Sequence, residues 1–103
     1  MSLNLTNCIH AVGKCYEGEL LTGSNGIDST TNPELGAYIV TLTESISIAS
    51  RTVFITSVNN TVGIFLAYTD INPISFTITV IDFTASPVSA AEGNFDILVL
   101  RLF

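Results

Sequence analysis

The sequence predicts an all-β fold, an antiparallel, jelly-roll-like β-sandwich of about seven short strands. Apolar residues recur at every second position over short stretches, and β-branched residues dominate those stretches. Residues that favour turns separate the stretches, and no segment of about eleven residues or more keeps a helical period. Short strands with regular turn signals are typical of sandwiches.

The strands are predicted from this alternation of faces. The clearest is Ser75–Asp82, in which apolar residues from Phe76 to Val80 alternate with threonines. In chain order the predicted strands are Cys8–Lys14, Tyr16–Leu21, Ala37–Glu44, Thr52–Ser57, Gly63–Tyr68, Ser75–Asp82 and Phe95–Leu102.

The longest predicted loop is polar and spans Gly23–Asn32. It contains Asp28–Thr31 and lies between the turn signals Ser24-Asn25-Gly26 and Asn32–Gly36. Asn, Asp, Gly and Pro favour turns for separate steric reasons, so this segment is expected to face solvent.

Three further turns are predicted from the same residue types. Asn59-Asn60-Thr61 is expected to close a hairpin between the strands on either side of it. Asp70–Pro73 and Ser86–Asn94 are expected to turn the chain before the last two strands.

The C-terminal strand differs from the others because both of its faces are apolar. One face carries Phe95, Ile97 and Val99. One core covers only one face of a strand easily, so the second face predicts a partner, most simply another copy of the chain. The residues predicted to form this oligomer interface are Leu98, Leu100, Leu102 and Phe103.

The composition fits a single domain at residues 8–103 preceded by an N-terminal arm at residues 1–7. The chain has 103 residues, of which 48% are hydrophobic and only 12% are charged. Typical domains carry about 25% charged residues, so much of this surface is expected to be neutral or covered by contacts. No apolar run approaches the ~20 residues that span a bilayer, so no membrane is predicted as a partner.

The charge balance excludes a nucleic-acid partner. Nine acidic residues stand against Lys14, Arg51 and Arg101, which gives a net charge of −6. Three cations do not form the basic surface that phosphate binding needs. The N-terminus lacks the basic and apolar regions of a signal peptide, so synthesis in the cytoplasm without export is expected.

No enzyme is predicted, and no catalytic residue or cofactor is assigned. His10 is the only histidine and lies in a predicted strand, where a structural role is favoured. Glu17 and Glu19 are two residues apart and are expected to share a solvated strand face rather than serve as an acid pair.

No metal site is assigned either. The oxygens of Asp70 and Asn72, or of Asn25 and Asp28, are candidate ligands of a weak calcium site, but a role in turns is the favoured reason for these residues. Cys8 and Cys15 lack the spacing of a zinc or redox motif and are predicted to be small buried residues, with a hairpin disulfide as the alternative.

The order of three strand motifs resembles a known group of proteins. Gly36–Thr41, Ser75–Thr79 and Phe95–Arg101 are similar to strands in the small β-sandwich domains at the C-terminal ends of bacteriophage tail-fibre and related virion proteins. Their landmarks are Gly-x-Tyr-x-Val-Thr, Ser-Phe-Thr-x-x-Thr and Phe-x-Phe-x-Val-x-Arg, and here Ile97 replaces the second aromatic residue of the last motif.

The resemblance implies homotrimers with the closing strand near the three-fold axis. Together with the two-sided strand, it predicts a non-enzymatic virion protein of the capsid-decoration, head-fibre or tail-fibre type, which binds copies of itself and other virion proteins. A host-surface glycan is a further candidate partner, because Tyr16, Tyr38 and Tyr68 offer aromatic platforms. A lectin-like carbohydrate-binding module is the alternative.

Overall fold

The predicted all-β sandwich is confirmed by a computed structural model that describes residues 8–58, 60, 63–84, 86–87 and 89–102. The strand pairings within these ranges are antiparallel, and the strands form two sheets packed against each other. The N-terminal arm and Phe103 lie outside the described residues.

The described residues form nine strands. In chain order they are β1 Ile9–Tyr16, β2 Glu19–Leu20, β3 Ile27–Glu34, β4 Ala37–Leu42, β5 Arg51–Ser57, β6 Ile64–Asn72, β7 Ser75–Asp82, β8 Ser89–Ala90 and β9 Phe95–Arg101. A 3₁₀ turn at Ile48–Ser50 precedes β5.

The two sheets have different strand orders. The front sheet runs β2-β1-β9-β5, and the back sheet runs β3-β4-β7-β6, with the short β8 beside β7. The chain therefore crosses between the sheets four times, after β2, β4, β5 and β8. The C-terminal strand β9 lies inside the front sheet with a neighbour on each side.

The core lies between the sheets and is built from alternate residues of their strands. Tyr38 of β4 contacts Phe95 of β9 edge to face, with ring centroids 5.2 Å apart. Fully burying a large apolar side chain stabilises the fold by about 1.5–3 kcal/mol. The buried hydrophobic residues of the core are Ala11, Cys15, Ile27, Tyr38, Val40, Leu42, Ile46, Phe76, Ile78, Val80, Phe95, Ile97 and Val99.

The predicted polar loop at Gly23–Asn32 is wrong, because most of it belongs to β3. Only Ile27 at the start of this strand is buried in the core. The rest pairs with β4 at the edge of the back sheet, where polar side chains face solvent and Pro33 is tolerated.

The predicted hairpin at Asn59-Asn60-Thr61 is also wrong. β5 pairs with β9 in the front sheet, whereas β6 pairs with β7 in the back sheet, so this connection crosses between sheets. Asn60 supports the crossing by donating to Ser57 Oγ at 2.7 Å and to the Asn94 carbonyl at 2.8 Å. Asn59 and Thr61 lie outside the described residues.

The predicted second strand, Tyr16–Leu21, shrinks to β2. A two-residue turn at Glu17 and Gly18 joins it to β1, with φ angles of 54° and 81°. Positive φ at both positions is the geometry of a type I′ hairpin turn.

Candidate functional site

The outer face of the front sheet carries a continuous group of apolar side chains. The strand register aligns Val12, Leu98 and Phe54 in one row across β1, β9 and β5. The next row aligns Ile9, Leu100 and Thr52. We call the following residues the apolar face: Ile9, Val12, Phe54, Leu98, Leu100 and Leu102.

The side chains of this face are open to solvent to different degrees. Ile9 is 45% exposed, Phe54 51% and Leu102 47%. Leu98 and Leu100 are half-buried, and neither belongs to the core cluster. Each of these leucines lies in a row between a residue of β1 and a residue of β5.

The sequence places the leucines there because β9 alternates. Phe95, Ile97 and Val99 fill the core, and the period of two then turns Leu98 and Leu100 outward. A register shift between Ile9 and Ala11 sets Ile9 opposite Leu100.

The predicted interface residues are therefore partly located by the structure. Leu98 and Leu100 lie on the outer face, and Leu102 follows directly after β9. Phe103 is outside the described residues. That these residues bind another copy stays a prediction.

The apolar face ends at a polar row formed by Lys14, Asp96 and Thr56. Lys14 Nζ donates to Asp96 Oδ2 at 3.0 Å, and this hydrogen bond raises the pKa of Lys14. Asp96 Oδ1 is buried without a hydrogen-bond partner among the described residues. The row borders a shallow depression of about 350 Å³ that Gly23 and neighbouring residues also line.

His10 takes a structural position, as its sequence context predicts. Its Nε2 is hydrogen-bonded to the Glu44 carbonyl oxygen at 2.9 Å, which fastens the segment after β4 to β1. The two glutamates do not share a strand face, contrary to the prediction, because Glu17 lies in the type I′ turn and Glu19 in β2.

The candidate calcium ligands do not all form turns, because Asp70 Oδ1 accepts from Arg51 and Asp28 lies in β3. Asn72 Oδ1 accepts hydrogen bonds from the backbone N–H groups of Ile74 and Ser75, both at 2.9 Å. The described part of the chain contains no group of three or more His, Cys, Asp or Glu residues able to hold a metal ion.

The two cysteines are too far apart for the hairpin disulfide considered as an alternative. Cys15 lies near the end of β1, whereas Cys8 directly precedes that strand. Extended chain advances ~3.3 Å per residue, which separates them by roughly 20 Å. Cys15 is buried in the core near Thr30 Oγ1, and burial raises the pKa of its thiol.

Two of the three candidate sugar platforms are committed to internal contacts. Tyr38 is fully buried and donates from its hydroxyl to Glu92 Oε2 at 2.8 Å. Burial and this hydrogen bond raise the pKa of Tyr38 to about 12. Tyr68 is half-buried and donates to Asp70 Oδ1. Tyr16 is half-buried at the end of β1.

Arg51 is a buried, ion-paired position that sequence reasoning missed. Its side chain is only 1% exposed and lies 5.5 Å over the ring of Phe76. Its guanidinium donates to Asp70 Oδ1 at 2.8 Å and to the Asn72 carbonyl at 3.0 Å. The sequence feature that could have indicated it is a lone cation at the start of an apolar strand. In the structure this residue connects the front sheet to the back sheet.

Comparisons of the chain with protein families, with curated proteins and with solved structures give no match. Within the described ranges, the chain contains no helix with the length and apolar character needed to span a membrane.

Proposed function

We propose that this chain is a non-enzymatic structural protein of a virion, of the capsid-decoration, head-fibre or tail-fibre type. It works by assembling with copies of itself through the apolar face. The observation that carries the proposal is the two-sided strand β9: one face fills the core, and the other places Leu98 and Leu100 at the centre of an exposed apolar surface.

The charge distribution supports self-association at this face. The two apolar rows hold no charged side chain, and Thr52 is their only polar member. Asp96 at the border is paired with Lys14. Copies that meet at this face therefore bring no like charges into contact, although the whole chain carries a net charge of −6.

Burial of the leucines alone does not offset the cost of association, so the whole apolar face is needed. Covering the exposed half of a large apolar side chain contributes on the order of 1 kcal/mol. Association itself costs about 4–15 kcal/mol. We therefore expect Ile9, Phe54 and Leu102 to be covered together with the leucines, with threonines at the rim.

The virion role and the three-fold order are supported by the resemblance of the strand motifs to fibre-tip domains. In those domains the closing strand lies near the three-fold axis. In this chain the corresponding strand is β9, whose outer face is apolar. We therefore propose a homotrimer with the three copies of β9 facing the axis.

The proposal is tested by a pair of aspartate substitutions. Leu100→Asp places a charge in the apolar face, whereas Ile39→Asp places one at a half-buried outward position of a central strand in the back sheet. Light scattering after size exclusion at micromolar concentration is expected to show a smaller mass for Leu100→Asp and the wild-type mass for Ile39→Asp. Equal masses for Leu100→Asp and wild type contradict the proposal.

The virion assignment needs a separate experiment. Particles purified on a density gradient from cells that produce the chain are analysed by mass spectrometry. We expect peptides of this chain in the particle band at a constant ratio to the major particle protein. If the chain is found only in fractions without particles, the virion assignment is wrong. Self-assembly is then still tested by the two aspartate variants.

A further inference from the structure

The free edge of β5 has only one of the features that usually keep a sheet edge from pairing with another chain, and that feature lies at its first residue. Such edges are blunted by short length, proline, bulges or charged side chains. Of the other edge strands, β2 has two residues, β3 has Pro33 and register shifts, and β6 has Asp70 and a register shift near its C-terminal end. β5 pairs with β9 in an unbroken register, and its one charged side chain, the inward-pointing Arg51, is its first residue and is paired with Asp70, so Thr52–Ser57 carries no charge.

The hydrogen bonds at the two ends of β5 show which backbone groups face this edge. Leu102 N donates to the Ser50 carbonyl at 3.0 Å before the strand, and Val58 N donates to the Asn94 carbonyl at 3.2 Å after it. In an antiparallel pair, alternate residues exchange hydrogen bonds with the partner strand. The even-numbered residues therefore bond to β9. The residues that direct backbone groups to the open edge are Arg51, Val53, Ile55 and Ser57, and Arg51 offers its C=O alone because its N–H donates to the Ile48 carbonyl.

This edge is complementary to itself under a two-fold rotation centred on Phe54. Val53 then faces Ile55 of a second copy, and Arg51 faces Ser57. Each Val53–Ile55 pair exchanges two backbone hydrogen bonds, and each Arg51–Ser57 pair makes one because the Arg51 N–H is already bonded to Ile48, which gives about six in all. The two phenylalanines at position 54 lie side by side on the outer surface, and no exposed charges oppose each other because the Arg51 guanidinium is held inside by Asp70.

We propose that β5 pairs with β5 of a second copy in antiparallel order. The two front sheets become one continuous sheet, and the two apolar faces become one continuous surface. This inference rests on the proposed self-assembly and adds a second contact to it. The edge contact is two-fold, so together with a three-fold contact at the apolar face it gives an assembly with an even number of copies.

The test is disulfide trapping in a Cys8→Ser background, in which Cys15 remains buried. Under mild oxidation, the Phe54→Cys variant is expected to form a disulfide between position 54 of one copy and position 54 of the other. Opposed residues that are not hydrogen-bonded have Cα atoms ~4.5 Å apart, which a disulfide can span. Phe65→Cys is the matched control, since Phe65 and Phe54 are both 51% exposed and Phe65 lies in the back sheet. The Phe54→Cys dimer should form at least about tenfold faster.

A second pair of variants tests the register and leaves the apolar face intact. In the proposed pairing Thr52 faces Thr56 of the second copy. A mixture of Thr52→Cys and Thr56→Cys proteins is therefore expected to give linked dimers, and each variant alone should give few, because identical positions are roughly 13 Å apart.

The outcomes separate this inference from the proposed function. The edge pairing is overturned if Phe54→Cys links no faster than Phe65→Cys and the threonine mixture gains nothing over its components. If wild type is then still oligomeric and Leu100→Asp dissociates it, the apolar face alone joins the copies. If all variants and wild type are monomeric, both proposals fail.

Discussion

The guanidinium of Arg51 on β5 donates to the carboxylate of Asp70 on β6 across 2.8 Å. This ion pair joins the edge of the front sheet to the edge of the back sheet. Tyr68 donates to the same carboxylate oxygen, and the Asn72 carbonyl accepts a further bond from the guanidinium. A buried guanidinium with satisfied donors thus anchors the strand that carries Phe54.

Removing the carboxylate is expected to destabilise the fold. Asp70→Asn leaves the buried charge of Arg51 without its counter-ion and should lower the free energy of unfolding by about 1–3 kcal/mol. The lower part of this range is favoured because the Asp70 side chain is 36% exposed. Urea denaturation measures the change.

The control for this experiment is Lys14→Gln. It breaks an ion pair of similar length, 3.0 Å, whose lysine is exposed. We expect the urea midpoint of this variant to stay close to that of wild type. A larger loss for Lys14→Gln than for Asp70→Asn is incompatible with a stabilising role for the sheet-to-sheet pair.

The titration of Tyr38 makes the free energy of unfolding fall at alkaline pH. Its pKa of about 12 in the folded state lies above the value near 10 in the unfolded chain. Between these values the folded protein keeps the proton and the unfolded chain releases it. The stabilisation is therefore complete below about pH 10 and declines as the pH rises toward about 12.

The variant Tyr38→Phe removes this titration. We expect a shallower loss of stability over that pH window, measured by urea denaturation at several pH values. The slope should not vanish, because burial also raises the pKa of the Cys15 thiol, which acts in the same direction. At neutral pH the variant lacks the hydrogen bond to Glu92, and its free energy of unfolding should be lower by about 1 kcal/mol. If the free energy of unfolding of Tyr38→Phe falls with pH as steeply as that of wild type, the prediction is wrong.

The two cysteines should differ in reactivity. Alkylation requires the thiolate, and burial both hides Cys15 and raises the pKa of its thiol. Iodoacetamide is expected to modify Cys8 in the folded protein at least about a hundredfold faster than Cys15, with both reacting in concentrated urea. Peptide mass spectrometry locates the label. Equal rates in the folded protein argue against this core.

Glu17 offers a stabilising substitution. It is the non-glycine residue with positive φ in the described chain, and asparagine is preferred at this position of a type I′ turn. Glu17→Asn should raise the free energy of unfolding by about 0.5–1 kcal/mol. Glu19→Asn removes the same charge from β2, where φ is ordinary for a strand, and should give no gain. Thermal unfolding of the two variants decides between them.

Strand faces were predictable where one face is buried. β7 and β9 alternate as expected because their inward residues fill the core. β3 was missed because an edge strand buries little beyond Ile27, so its sequence resembles a loop. The crossing after β5 was missed because turn residues show that the chain turns but not whether it returns to the same sheet.

The candidate site was predictable in part for the same reason. Alternation alone turns Leu98 and Leu100 away from the core. The contribution of Ile9, Val12 and Phe54 depends on which strands flank β9, and strand order is set by long-range packing. The buried position of Arg51 depends in the same way on the closeness of β5 and β6.

Sedimentation equilibrium of the wild-type protein at micromolar concentration tests the central claim most directly. The subunit mass is 11.0 kDa. Self-assembly through the outer side of β9 predicts a whole multiple of this value, a multiple of three where the three-fold contact forms. A single species at the subunit mass across the concentration range contradicts the account.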